Sequence, residues 1–166
     1  MTYWFTADDH FFHKNILKYC NRPFKSLEHM HMELIRRWNE RVKDGDVVYV
    51  LGDFGFLNTC AQYREIADQL HGNIILIRGN HDDRESTGSI MTSCTINIGG
   101  VDWNMSHIPD FRFKYNLCGH VHNNWDYLTQ GDKIVINVGV DIHNFYPISI
   151  NEIISLLPDK YKIKLS

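Results

Sequence analysis

The sequence lacks any marked excess of charge: 17 Lys and Arg stand against 20 Asp and Glu, a formal net charge of -3 over 166 residues. A surface built to hold a polyanion is therefore not signalled by charge, although cations bound in an acidic cluster would invert the local field and admit nucleic acid. There are four cysteines, Cys20, Cys60, Cys94 and Cys118, with no CxxC pair. That spacing excludes zinc-knuckle and redox motifs and leaves reduced thiols as the expected state. No apolar run is long enough to span a bilayer, and the opening MTYWFTADDH reaches acidic residues before a leader-like stretch develops. A cytoplasmic protein with no membrane partner is expected. Repeats, low-complexity tracts and linkers are also missing, so one domain over residues 1–166 without a separate cap is expected. A hydrophobic content of 43% suffices for a sizeable single core.

What the chain does have is histidine, ten residues of it, beside many Asp and Asn. The apolar pattern places these residues. YWFTA (3–7) predicts a strand ending at Asp8, and a helix from about Lys14 to Tyr19 is broken by Asn21-Arg22-Pro23. Leu27, Met30, Leu34, Trp38 and Val42 recur at helical spacing behind Ser26, a candidate cap. VVYVL (47–51) is continuously apolar, like a strand buried on both faces. A helix over 59–70 and the strand NIILI (73–77) complete an alternation suited to parallel pairing. Beyond Gly88, β-prone runs at 92–98, 101–106, 113–118, 133–138 and 146–150 predict a meander. A helical turn at 151–157 and an alternating edge strand over 160–165 follow.

The strands stop at informative places. The first three end at Asp8-Asp9-His10, at Gly52-Asp53 and at Gly79-Asn80-His81-Asp82, and two later runs reach His107 and Gly119-His120-Val121-His122. In open α/β sheets the C-terminal strand edge is where sites form. Asp8 and His10, like His120 and His122, lie two apart, a spacing that turns both side chains to one side at extended or tight-turn geometry. Gly52, Gly79 and Gly119 each precede a candidate ligand, where a missing Cβ permits a sharp turn or a close approach.

Two aspartates, four histidines and one amide are too many donors for one ion and suit two ions sharing a carboxylate. Mixed nitrogen and oxygen ligation fits Mn, Fe, Zn, Co or Ni better than Mg or Ca. Two such ions, about 3.5 to 4 Å apart, supply the activated hydroxide and the phosphoryl clamp that phosphoester hydrolysis needs. His81, beside Asn80, suits a general acid for the leaving alkoxide.

In order, D-x-H (Asp8, His10), G-D (Gly52, Asp53), G-N-H-D (79–82), a lone His107 and G-H-x-H (Gly119, His120, His122) resemble the calcineurin-like metallophosphoesterase superfamily. The match spans residues 8 to 122, and the ending VINVGVD (135–141) is similar to small microbial and phage-type members. The resemblance implies a four-layer α/β/β/α sandwich of two stacked mixed sheets flanked by helices. It assigns Asp8, His10 and His122 to one divalent ion, Asn80, His107 and His120 to the other, and Asp53 to the bridge, with manganese preferred. His81 protonates the leaving group and Asp82 orients it. The expected activity is phosphodiester hydrolysis on a small diester or nucleotide. Phosphomonoesterase activity, as in a protein phosphatase or a nucleotide pyrophosphate hydrolase, stays open, as does an inert binding scaffold of the same fold. The oligomeric state is left open.

Around this set, Arg78, Arg84, Arg112 and Lys114 are cations placed to meet a phosphate, and His13 is placed to border the substrate pocket. Asp9 and Asp83 are expected to be solvated, and His143 has no settled role. Phe11, Phe12, Phe54, Phe56 and Trp125 flank the motif loops, where they would line a pocket, stack a base or fill the core.

Overall fold

Residues 1–163 are described by a computed structural model. Strands β1 (Tyr3–Thr6), β2 (Val47–Leu51) and β3 (Asn73–Ile77) pair in parallel, and the two-residue β9 (Ile148–Ser149) returns antiparallel to β1, giving a mixed sheet in the order β3-β2-β1-β9. The crossovers are helical. α1 (Ile16–Tyr19) and α2 (Leu27–Arg41) join β1 to β2, and α3 (Cys60–Ala67) joins β2 to β3. α2 begins where Ser26 Oγ accepts from the His29 amide and buries Met30, Leu34 and Trp38, as the apolar spacing predicts. α3 starts in the same way at Thr59.

The second sheet is assembled from the β-rich half in the order β4-β5-β6-β8-β7, with β4 (Ser93–Ile98), β5 (Val101–Ser106), β6 (Tyr115–Cys118), β7 (Tyr127–Gln130) and β8 (Lys133–Asn137). It is not a meander. β5, β6 and β8 run parallel to one another, and only the edge pairs β4/β5 and β7/β8 are antiparallel hairpins. That arrangement delivers the ends of β5, β6 and β8 to one edge, which a meander would not do. The run at 146–150 does not join this sheet; it supplies β9 to the first one and then α5 (Ile150–Leu156), closed at its start by a Ser149/Glu152 capping box. The alternating stretch over 160–165 begins in a 3-10 turn at Asp159–Tyr161, and residues 164–165 lie outside the described residues.

Two cores result. One lies between the sheets and joins Phe5, Tyr49, Leu51 and Ile77 to Trp103, Met105, Leu117, Ile134 and Ile136, with Ile150 and Ile153 of α5. The other lies between the outer face of the first sheet and its helices, where Val48, Val50 and Leu76 meet Met30, Leu34, Trp38 and Ile66. The chain is thus a sandwich of two stacked mixed sheets flanked by helices. The C-terminal ends of β1, β2, β3, β5 and β6 open where the histidines and aspartates stand.

Candidate metal centre

The loops at these strand ends are tied to one another before any ligand is considered. The Asp8 amide donates to Gly52 O (3.0 Å), the His10 amide to Asp53 O (3.0 Å) and the Gly119 amide to His107 O (3.0 Å), while the His120 amide donates to the Asp8 carboxylate (2.9 Å to Oδ2). The two D-x-H and H-x-H pairs are not extended. Asp8, His10, Asp53, His120 and His122 all have left-handed backbone, with φ of 60°, 55°, 54°, 71° and 48°. Asp and His tolerate this region better than most residues, yet each such residue costs on the order of 1–3 kcal/mol that the surrounding structure must offset. Five of seven candidate ligands therefore sit in strained backbone. Gly79 shows why the sequence needs no side chain there: a Cβ would collide with the Asp53 carboxylate and amide, so the close approach is to a candidate ligand of the protein itself.

Asp53 is the centre of the arrangement. Its Oδ2 lies 3.7 Å from His10 Nε2 and 3.3 Å from His107 Nε2, and its Oδ1 accepts the His81 amide at 2.8 Å. On one side, donor atoms of Asp8, His10 and His122 lie within 4.8 Å of one another, as do those of Asp8, Asp53 and His107. On the other, Asn80 Oδ1 faces both His107 Nε2 (2.9 Å) and His120 Nδ1 (3.0 Å). His10 Nε2 is buried with no hydrogen-bond partner, the mark of a lone pair that lacks what it is built to meet. His107 Nδ1 lies 2.9 Å from Leu51 O, so it donates there and leaves Nε2 turned toward Asn80 and Asp53. These clusters have the donor chemistry to chelate a divalent cation.

The titration shifts follow from crowding. Burial pushes the Asp8 carboxyl up to about 6 and that of Asp9 up to about 7. Burial also brings His10 down to about 3, keeping its ring neutral as a ligand must be. At Asp53 burial pulls upward, but the hydrogen bond and charge of His107 outweigh it and hold the carboxyl at about 2. His122 is lowered by burial and raised more strongly by its hydrogen bond to Asp141, to about 10.

Asp141 and Arg22 were not among the expected site residues, and the structure makes them its supports. Arg22, 5% exposed, grips both carboxylate oxygens of Asp141 (2.8 and 3.0 Å), while its terminal nitrogens donate to Asp9 O (2.9 Å) and Asp8 O (2.6 Å). Asp141 in turn holds His122 Nδ1 at 2.8 Å, which leaves Nε2 to face the cluster. One buried guanidinium thus locks the D-x-H loop to the G-H-x-H loop through a carboxylate and an imidazole. Asp141→Asn and Arg22→Lys are each expected to weaken metal binding about 10- to 100-fold, the usual cost of losing a ligand's hydrogen-bonded support. Competition with a fluorescent chelator would measure this. An unchanged affinity in both variants would remove the support role.

Other expected residues fall elsewhere. Asp9 is not solvated but 2% exposed, under the Arg22 guanidinium and with Oδ2 unpartnered. Asp82 does not face the reacting side: its carboxylate accepts the Asp53 (2.7 Å), Gly79 (2.8 Å) and Gly55 (3.4 Å) amides, so it fastens the G-D loop to the G-N-H-D loop. Asp83, on the surface, caps the four-residue helix α4 (Arg84–Thr87) through Ser86. Arg78 and Arg112 line an open groove of about 490 Å³ that reaches Asn80 and His107, with Arg112 already held by Asp110 at 2.6 Å. Arg84 does not line it. His13 packs beside His10, its Nδ1 3.3 Å from His10 Nδ1. His143 binds Asn137 O at 3.0 Å. Phe11 and Phe54 are core, Phe12 packs on His31, and Phe56 stands half exposed beside His13 and His81.

Among known proteins, a family profile described as the calcineurin-like phosphoesterase superfamily domain matches residues 26–142. An uncharacterized protein of Methanocaldococcus jannaschii, MJ1445, is 37% identical over 160 residues, covering 91% of this chain and 88% of its own. The gene 66 protein of Mycobacterium phage D29 is 36% identical over 81 residues, 48% of this chain and 39% of its own. The crystal structure of AQ665, a protein of unknown function from Aquifex aeolicus, superposes with a TM-score of 0.72 at 26% identity, over 94% of this chain and 99% of that one. Vps29 of Chaetomium thermophilum shares the fold alone, with a TM-score of 0.50 at 10% identity over 82% of this chain and 70% of its own. With its strand-end aspartates and histidines gathered at one sheet edge, the chain belongs to the calcineurin-like phosphoesterase superfamily.

Proposed function

We propose that the protein is a binuclear metal-dependent phosphodiesterase of one domain, acting in the cytoplasm on a small diester or nucleotide. The observation that carries this reading is Asp53 Oδ2, which looks at His10 on one side and His107 on the other. Asp8, His10 and His122 would hold one divalent ion, Asn80, His107 and His120 a second, and Asp53 both, with Mn preferred among Mn, Fe, Zn, Co and Ni. When bound, such ions supply Lewis acidity to the phosphoryl oxygens and a nucleophile at neutral pH.

The chain's own residues do the rest. Asp53 Oδ1 fixes the His81 backbone (2.8 Å), so the carboxylate between the two ligand sets also places the acid. His81 is exposed, with its ring 5.5 Å from that of His10, and it gives its proton to the leaving oxygen as the phosphorus–oxygen bond breaks. Water oxygen joins phosphorus and its proton passes to solvent, from which His81 takes back the one it gave to the leaving oxygen. Asp82 and Arg22 act as positioning residues, and Arg78 and Arg112 meet substrate oxygens from the groove. The groove beside Asn80 and His107 is open, which leaves room for a diester. Four free cysteines fit a reducing compartment.

The test is hydrolysis of bis-aryl and mono-aryl phosphate by metal-loaded protein, together with metal analysis. Diester preference with bound metal is expected. Monoester preference would move the protein to the phosphomonoesterases, and neither metal nor turnover would make it an inert scaffold.

A further inference from the structure

Phe56 is an apolar ring that the fold holds in the open. The backbone around it is pinned, with the Phe11 amide donating to Phe54 O (3.0 Å) and the Phe56 amide to Phe11 O (2.7 Å), and Phe11 and Phe54 are fully buried on either side. Phe56 itself is 49% exposed, and its ring stacks on His13 with centroids 5.2 Å apart and planes 26° apart. Tyr19, 73% exposed, also meets His13, edge-on with ring centroids 6.1 Å apart. His81 lies 6.0 Å from Phe56 and 5.9 Å from His13. An aromatic bank therefore runs from His10 outward, on the side of the centre where the proton donor stands. The opposite side is different in kind: the groove next to Asn80 and His107 is lined by Arg78, Ser93, Ser106 and Arg112. Arg78 has no hydrogen-bonded side-chain partner among the described residues.

The group that leaves must lie against His81, so whatever it carries lies against Phe56. A planar ring stacks on such a bank whatever its sequence identity, because every base has a π-face. We infer that Phe56 and Tyr19 form a stacking subsite for a nucleobase on the leaving alcohol, while the Arg78 groove receives the phosphate-bearing part that remains. The substrates are then diesters with a nucleoside leaving group, not phosphates of aliphatic alcohols. The inference rests on the phosphodiesterase reading, and the experiment separates the two.

Manganese-loaded protein is titrated calorimetrically with thymidine 5′-monophosphate and with deoxyribose 5-phosphate, which lacks the base. In parallel, kcat/KM is measured on a thymidine dinucleoside monophosphate and on its analogue lacking the leaving-side base. Base-bearing compounds are expected to be favoured about tenfold in both assays, in line with the worth of one base stacked on an aromatic side chain. Phe56→Ala should bring both ratios toward one, and Phe56→Trp should keep them. A base preference that Phe56→Ala leaves intact, or no base preference at all, overturns the subsite even if diesters are hydrolysed. Base-selective binding without hydrolysis of either diester overturns the phosphodiesterase reading and leaves the stacking subsite standing.

Discussion

Asp53→Asn is expected to lose metal at both positions together and to lower turnover by more than about 100-fold. Loss of a hydrogen-bonded support behind a ligand already costs about 10- to 100-fold, and Asp53 is the donor we propose to be shared, with one oxygen 3.7 Å from His10 Nε2 and 3.3 Å from His107 Nε2. The amide keeps the shape and can still accept the His81 N–H, so the backbone at residue 81 should stay in place. What disappears is the carboxylate charge, which burial opposes and His107 more than restores, and with it the one carboxylate that faces both His10 and His107. Metal analysis after gel filtration should show both equivalents reduced. Loss of one equivalent with the other unchanged would mean that Asp53 serves a single ion. Asp8→Asn would disturb the loops as well, because Asp8 accepts the His120 amide at 2.9 Å and lies near both the His10/His122 and the Asp53/His107 donors.

His81→Ala is expected to do the opposite, lowering kcat by about 10²- to 10⁴-fold on diesters with a poor leaving group while leaving metal content close to wild type. The ring lies near His10, His13 and Phe56, and its backbone, not its side chain, is what Asp53 holds. The deficit should shrink as the leaving group becomes a better one, since a nitrophenolate needs little protonation and an alkoxide needs much. A series of aryl and alkyl diesters would show it. An equal loss across the series would assign His81 to substrate binding, and unchanged rates would remove it from the reaction.

Much of this site was legible because its donors stand where apolar runs stop. Asp8, Asp53, Asn80, His107 and His120 each follow a strand closely, at the point where the apolar run gives way to polar residues. Asp141 obeys the same rule, lying just after β8, and counting that strand end would have found it. Arg22 had no such signal: it sits in a helix-breaking turn, and only the folded chain brings it under residues 8, 9 and 141. The parallel order of β5, β6 and β8 was hidden as well, because runs of four to six residues joined by turn-rich segments look like hairpins until the crossovers are seen. β7 escaped notice for a simpler reason, since all four of its residues are exposed and carry no burial pattern. Asp9 looked solvated because a lone carboxylate between two ligands gives no hint of the guanidinium above it. The left-handed backbone of the ligands is likewise invisible to spacing, which is why an extended pair and a doubly left-handed pair predict the same convergence.

The most direct test of the central claim is anomalous diffraction from crystals of manganese-loaded protein. Two peaks are predicted, both in contact with Asp53, one among Asp8, His10 and His122 and the other among Asn80, His107 and His120. A single peak, or two peaks of which only one touches Asp53, would contradict the bridged centre.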